Sequence, residues 1–259
     1  KRLVNIDVPD VDKFDELNDP RKSLKSISSL LSIQEGCDKF CTFCVVPYTR
    51  GVEISRPANQ IMKEAIELIE SGAKELILLG QNVNAWSGKG LDESSWTFPR
   101  LIRELSQLSI ERIRYITSHP RDMTDELMRS HKDIEKLQPY LHLPVQSGSD
   151  RVLKEMNRGY TFADYMKIID KTREYRPDIA VSGDFIVGFP GETDKDFQDT
   201  LRIVEEVKYA HAYSFKYSSR PGTPASMMEN HIEEDVKSER LKILQDLIKQ
   251  QTRDFNKSF

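Results

Sequence analysis

Cys37, Cys41 and Cys44 are the only cysteines in the 259-residue chain, and all three fall between positions 37 and 44. An odd, tightly spaced set is not the pattern of a secreted disulfide framework; it is the pattern of ligands kept reduced. Thiolates are soft donors that suit iron–sulfur clusters or zinc. Three of them on one short loop can hold three irons of a cubane and leave the fourth iron open to another molecule. Clusters that only carry electrons normally take four cysteines, which argues against a simple electron carrier. Zinc in a Cys3His set is the alternative, but none of the five histidines, His119, His131, His142, His211 and His231, lies near the cysteines in sequence. Spacing favours iron–sulfur.

The elements that must position this loop are legible as alternating apolar and amphipathic runs. Residues 27–33, 75–79, 112–117, 140–145, 179–187 and 213–217 read as strands. Helical patterns start near Pro57 and end at Gly72 (Ile61, Ala65, Ile66, Leu68 and Ile69 on one face), recur around Leu101, Leu105 and Leu108, and cover 125–129, 150–157 and 162–175. A further helix runs from Thr193, three residues before Asp196, to Val207, and the last covers 234–255. A long polar loop holding Trp86 and Trp96 separates the second strand from the second helix. Six strands alternating with helices imply a parallel sheet with right-handed crossovers. The expected fold is α/β, an incomplete, curved (βα)6 barrel of the TIM type; a flat doubly wound sheet is the alternative. In both, ligands gather at the carboxyl ends of the strands. The polar segments 37–44, 80–84, 118–119, 146–149 and 188–192 all fall at such ends. The barrel is assigned to 26–230, with a charged linker at 1–25 and a carboxyl-terminal helical segment at 231–259.

The wording around these positions resembles a known family. Cys-x3-Cys-x2-Cys after the first strand, with an aromatic residue, Phe43, before the last cysteine, is similar to the radical-SAM superfamily. EGCDKFCTFCVVPYTRG at 35–51, LLGQNVNAW at 78–86, TSHP at 117–120, LHLPVQSGSD at 141–150, DFIVGFPGET at 184–193 and YSSRPGTPA at 217–225 resemble the methylthiotransferases within it. GQNVN and PVQSGSD look like the branch that modifies tRNA; enzymes acting on a ribosomal protein are the alternative, and a zinc-stabilised RNA-binding module is the non-catalytic one.

The resemblance implies a 4Fe–4S cluster on Cys37, Cys41 and Cys44, with S-adenosylmethionine (SAM) chelating the open iron and yielding a deoxyadenosyl radical. It implies a methylthio group placed at carbon 2 of isopentenyladenosine beside the anticodon. Phe43 is expected near the SAM adenine. Gln81, Ser118, Gln146 and Asp184 are expected to hydrogen-bond SAM or substrate, and Gly188 and Gly191 to let the backbone approach the adenosyl group. Asn82 and Asn84 are candidates for substrate contact, and Arg50, Arg56, Arg158 and Arg220 for contact with phosphates. Read without the resemblance, Gln81, Asn82 and Asn84 can equally organise a turn, His119 reads as a satisfied turn histidine, and scattered arginines are mostly surface residues. The family also uses a second 4Fe–4S cluster in an amino-terminal domain and a carboxyl-terminal RNA-binding barrel, and neither is written in this sequence. The expectation is a chain that holds the radical-forming cluster but does not complete methylthiolation alone. It would depend on tRNA, an external electron donor and a sulfur source.

Composition agrees with a soluble globular protein, and the clustered cysteines with the reducing cytoplasm: 38% of residues are hydrophobic and 31% charged, with no apolar run of about 18 residues to span a membrane. The formal net charge of −4 does not announce nucleic acid, so any tRNA contact must come from local basic patches or other parts of the protein.

Overall fold

The structure, a computed structural model, describes residues 26–257. The linker assigned to 1–25 lies outside the described residues. In chain order the elements are β1 (Ser28–Ser32), β2 (Gln34–Glu35), α1 (Val46–Arg50), β3 (Ile54–Ser55), α2 (Ala58–Glu70), β4 (Glu75–Leu79), β5 (Ser87–Lys89), β6 (Ser95–Thr97) and α3 (Phe98–Ser106). They continue with β7 (Arg112–Tyr115), α4 (Asp125–Asp133), β8 (Tyr140–His142), α5 (Asp150–Glu155), α6 (Phe162–Tyr175), β9 (Ala180–Val187), α7 (Asp194–Val207), β10 (His211–Lys216) and α8 (Glu234–Lys257).

All six expected strands form, and they pair in parallel. One ladder runs β1-β4-β7 and the other β8-β9-β10. The bridge between Ile113 and Leu137 joins the two. The spatial order β1-β4-β7-β8-β9-β10 therefore follows the sequence without reversing. A doubly wound sheet reverses at a switch point; a sheet that never does winds in one direction, as an open barrel must.

Alternation along each strand sets which face is core. Leu31, Leu76, Leu78, Ile113, Tyr115, Leu141, Phe185 and Val187 are buried with Ile61, Ala65, Leu101, Leu105, Ile169 and Ile203 from the helices. The residues between them, including Leu30, Arg114, His142, Asp184, Tyr213 and Phe215, fall on the opposite face. Helix starts follow local chemistry. Thr161 and Thr193 form capping boxes with Asp164 and Asp196, and Thr124 and Ser149 cap α4 and α5.

Three features differ from the sequence reading. The segment read as a long polar loop contains the antiparallel hairpin β5–β6. Its tryptophans are buried, with indole N–H groups donating to Arg56 O (3.0 Å) and Asp92 Oδ1 (2.7 Å). The pairing β2–β3 clamps the two ends of the cysteine segment; strands of two residues carry no periodic signal. The helix α8, set apart in sequence with the segment after 230, packs on the barrel: Leu244 and Ile248 enter the main core.

The core includes a buried tyrosine–histidine pair. The Tyr115 hydroxyl lies 2.7 Å from His131 Nε2, and burial lowers the His131 pKa to about 4. An unfolded histidine titrates near 6.5, so below that pH the unfolded chain binds a proton that the folded chain refuses. His131 is thus neutral in its effect above pH 6.5 and removes stability as pH falls from 6.5 towards 4. The slope is at most about 1.4 kcal/mol per pH unit. Urea melts at pH 7.0, 5.5 and 4.5 should show that His131→Gln flattens this dependence; identical slopes would refute the assignment.

Candidate cluster site

The cysteine segment leaves the carboxyl end of β1 and is pinned on three sides. Gln34 is the first pin: its Nε2 donates to Gly36 O (2.6 Å), and its Oε1 accepts from Gln81 N (2.8 Å) and Asn82 N (3.1 Å). Gln81 Oε1 accepts from Gly36 N (2.7 Å). A Cβ on Gly36 would sit 2.0 Å from Val52 O, so glycine is required where the loop closes on β3. The second pin comes from the end of α5. Thr42 N and Oγ1 donate to Met156 O (3.1 Å) and Glu155 O (2.8 Å), and Asn157 Nδ2 donates to Phe40 O (3.0 Å). The third is Lys39, paired with Asp122 at 2.8 Å.

Cys41 is 8% exposed, while Cys37 and Cys44 are half-buried, and all three thiols are free. Burial pushes the Cys37 thiol up to about 11 and moves Cys44 in the same direction. Both are therefore protonated at neutral pH without a metal, and ligation must displace those protons. The Cys41 Sγ accepts a hydrogen bond from Arg158 Nη1 at 3.2 Å. Among the described residues no three His, Cys, Asp or Glu side chains converge closely enough to ligate a single ion. His131, His142 and His211 are engaged with Tyr115, Asp184 and Ser182. Among the described residues the three thiols have no fourth ligand converging with them on one ion, which fits a cubane with an open corner better than a tetrahedral zinc.

Around this loop the backbone is strained. Phe40 (φ 48°), Thr117 (φ 66°), Gln146 (φ 79°) and Asn157 (φ 56°) all adopt left-handed conformations, which for the β-branched Thr117 is a true outlier. Such strain collects where loops must present groups to a ligand. Buried polar atoms without partners mark the same region: Ser118 Oγ, Asn82 Oδ1 and His119 Nε2. His119 Nδ1 accepts from Arg121 N (3.2 Å), so the unpaired Nε2 carries the proton. The expectation of a satisfied turn histidine thus holds for one ring nitrogen only.

Several other expected site residues have structural employment. Asn84 makes both of its side-chain bonds to the His119 backbone, at 2.8 and 2.9 Å, and Asn82 Nδ2 donates to Asp122 (2.9 Å). Gln81 positions the cysteine loop. Asp184 lies 3.4 Å from His142 Nε2. Phe43 packs with Val152, Met156, Phe189 and Tyr217 in a small satellite core. At Gly188, with φ at 71°, the space a Cβ would fill is taken by Lys237 Cγ of α8, 2.1 Å away. For Gly191 (φ 76°) a Cβ would meet Arg151 alone, at 3.9 Å, and the positive φ itself favours glycine. The arginines divide. Arg50 and Arg220 are exposed, Arg50 beside Glu35 at 3.2 Å. Arg56 and Arg158 are each 4% exposed, which leaves little of either guanidinium open to a phosphate. Arg56 pairs with Glu64.

Gly148, within the 141–150 motif, is a packing position: a Cβ there would lie 2.1 Å from Asp199 O of α7. Gly148→Ala should destabilise the fold by about 1–3 kcal/mol through overpacking against backbone that cannot give way. A chemical denaturation midpoint equal to that of the parent would contradict the contact.

A parallel, singly wound partial barrel with three thiols on its first strand-end loop defines a cluster-binding (βα)6 protein. The chain belongs to the Radical SAM superfamily, whose sequence pattern matches residues 31–204. Members of that superfamily use a 4Fe–4S cluster with SAM. The tRNA-2-methylthio-N(6)-dimethylallyladenosine synthase of Agrobacterium fabrum is 53% identical over 262 aligned residues, covering all of this chain and 58% of its own length. This chain therefore spans little more than half of that relative. Among solved structures, the radical S-adenosylmethionine methyltransferase TsrM from Kitasatospora setae, with tryptophan substrate and a SAM analog bound, superposes with a TM-score of 0.63. Identity is 17%, over 78% of this chain and 38% of that one. Streptococcus suis SuiB bound to S-adenosylmethionine gives a TM-score of 0.57 at 14% identity, over 86% and 48%. At those identities the likeness is one of fold. Superfamily membership sets aside the zinc-stabilised module.

Proposed function

We propose that this chain is the radical-forming part of a tRNA methylthiotransferase that modifies carbon 2 of N6-isopentenyladenosine beside the anticodon. The observation that carries the reading is the trio of thiols at the barrel mouth, in a chain 53% identical along its whole length to a synthase of that modification. Cys37, Cys41 and Cys44 would hold the cluster. When bound, it supplies the electron that cleaves SAM to a deoxyadenosyl radical.

The chain's own residues hold and shield that site. Gln34, Gln81 and Asn157 fix the cysteine loop. Ser118 Oγ and Asn82 Oδ1, buried without partners among the described residues, are free to bond SAM or the target base. Gln146, half-buried beyond the end of β8 and bridged to Phe185, is a further candidate to bond SAM or substrate. Phe43 offers an apolar wall for the adenine, and Asp184 with His142 lies on the open face of the sheet. The exposed Arg50 and Arg220 are the remaining candidates for tRNA phosphate contact. The target base must leave its stack to reach the site, as in other base-modifying enzymes.

The sulfur-supplying second cluster and an RNA-binding barrel belong, in this reading, to the part of the relative's length that this chain does not span. A sulfur source and an external electron donor complete the reaction in the cytoplasm. Among the described residues no helix is long and apolar enough to cross a membrane.

The test is anaerobic reconstitution of this chain with iron and sulfide, followed by reduction in the presence of SAM. About four irons per chain and release of deoxyadenosine support the reading. Stoichiometric zinc surviving reconstitution, or a loaded cluster inert towards SAM, defeats it. Assaying the full-length protein on isopentenylated tRNA and on ribosomal protein then separates the two methylthiotransferase branches.

A further inference from the structure

We propose that Arg158 is a positioning residue that raises the reduction potential of the cluster held by the three cysteines, by donating a hydrogen bond from a buried guanidinium to the Cys41 sulfur. The inference rests on the cluster reading above and goes beyond it.

The guanidinium is 4% exposed, and its three nitrogens each have one partner. Nη1 donates to Cys41 Sγ (3.2 Å), Nη2 to Pro144 O (2.6 Å) and Nε to the Tyr160 hydroxyl (2.9 Å). The Tyr160 hydroxyl donates onward to Val145 O (2.8 Å), so it is a neutral acceptor. No carboxylate lies within ion-pair distance of Arg158 among the described residues, although 22 ion pairs are found elsewhere there. An arginine does not lose its proton. A buried cation without a counter-ion is costly, and of its three partners the Cys41 sulfur is the one that a metal cluster would hold as an anion, since the Tyr160 hydroxyl is engaged as a donor to Val145 O. Once the cluster is bound, that hydrogen bond places the guanidinium charge directly against a ligand sulfur.

The backbone holds Arg158 in this role. Asn157, at φ 56°, ends α5 in the left-handed conformation. The Arg158 N–H then returns to Leu153 O at 2.9 Å. Asn157 also bonds the backbone at Lys39 and Phe40, so the arginine and the loop it serves are fixed to each other. Neither Cys37 nor Cys44 has a comparable donor from a side chain among the described residues. A positive charge on one ligand sulfur stabilises the more negative, reduced cluster, because cluster potentials follow net charge, hydrogen bonds to sulfur and exposure. Since arginine does not titrate, this contribution is independent of pH.

The experiment compares the reconstituted wild-type chain with Arg158→Gln and Arg158→Lys. Each is analysed for iron and sulfide, and its midpoint potential is measured by EPR-monitored titration. Arg158→Gln should load iron and lose at least tenfold in the equilibrium for reduction, about 59 mV for one electron. Arg158→Lys, which keeps the charge, should recover most of that loss. In wild-type chain labelled with 15N-arginine, pulsed EPR on the reduced cluster should show a nitrogen coupling. An unmoved potential in a loaded Arg158→Gln chain, a Lys variant as low as the Gln variant, or no 15N coupling overturns the inference. If Arg158→Gln does not load, the Lys variant and the coupling decide. A wild-type chain that takes no cluster overturns the cofactor reading as well, which separates the two failures.

Discussion

Replacing Cys41 with serine should leave a folded chain that no longer develops the absorbance of an iron–sulfur cluster and no longer cleaves SAM above background. The same holds for Cys37 and Cys44, because with three ligands and no spare cysteine each sulfur is the sole tether of one iron. Cys37 and Cys44 are half-exposed, and the 36–53 segment lies outside the main core, so their serine variants should melt within about 1 kcal/mol of the cluster-free parent. Iron content and thermal melting measured on the same samples separate loss of the site from loss of the fold. Full iron loading in any one serine variant would show that a different donor completes the set, and the assignment of all three ligands would fall with it.

Arg240→Ala should cost about 3–5 kcal/mol of stability, the range for stranding one member of a buried pair. Arg240 reaches from α8 to Glu192 Oε1 (2.8 Å), to Glu192 O (3.2 Å) and to Asp194 (2.7 Å). The Glu192 side chain is 1% exposed and also accepts from Gly188 N at 2.9 Å. Burial already raises the Glu192 pKa even with Arg240 present, so removing the cation leaves a carboxylate that must protonate or open the turn. At roughly 2–4 °C per kcal/mol for a domain of this size, the melting temperature should drop on the order of 10 °C. The double variant Glu192→Gln/Arg240→Met, which removes both charges, should recover more than half of the loss. A single-variant shift under about 1 kcal/mol would mean that α8 does not depend on this pair.

What could be read from the linear chain and what could not divides along physical lines. Long periodic runs were legible because burial against one layer imposes a period on many consecutive residues: β4 at 75–79, α6 at 162–175 and the start of α7 at Thr193 all fall where the pattern places them. The hairpins β2–β3 and β5–β6 were not, because strands of two or three residues owe their existence to partners distant in sequence. Trp86 and Trp96 carried the one available hint, since two large apolar rings in a supposedly polar loop need somewhere to be buried.

The cysteine spacing by itself gave the donor type, because ligand identity is a property of residue chemistry and needs no coordinates, but it left a histidine open as a fourth ligand. Gln81, Asn82 and Asn84 stood out in sequence as polar groups at a strand end, and only the folded chain separates those that brace a loop from those left with an unpaired atom. Arg158 shows the same division most sharply. In sequence it is one of many arginines, most of which belong on the surface. Only the left-handed turn at Asn157 and the packing of α5 against the cysteine loop bury its charge and aim it at Cys41. A side chain's type is written locally, but its solvent exposure and its partner depend on residues 117 positions away, and the fold alone brings those together.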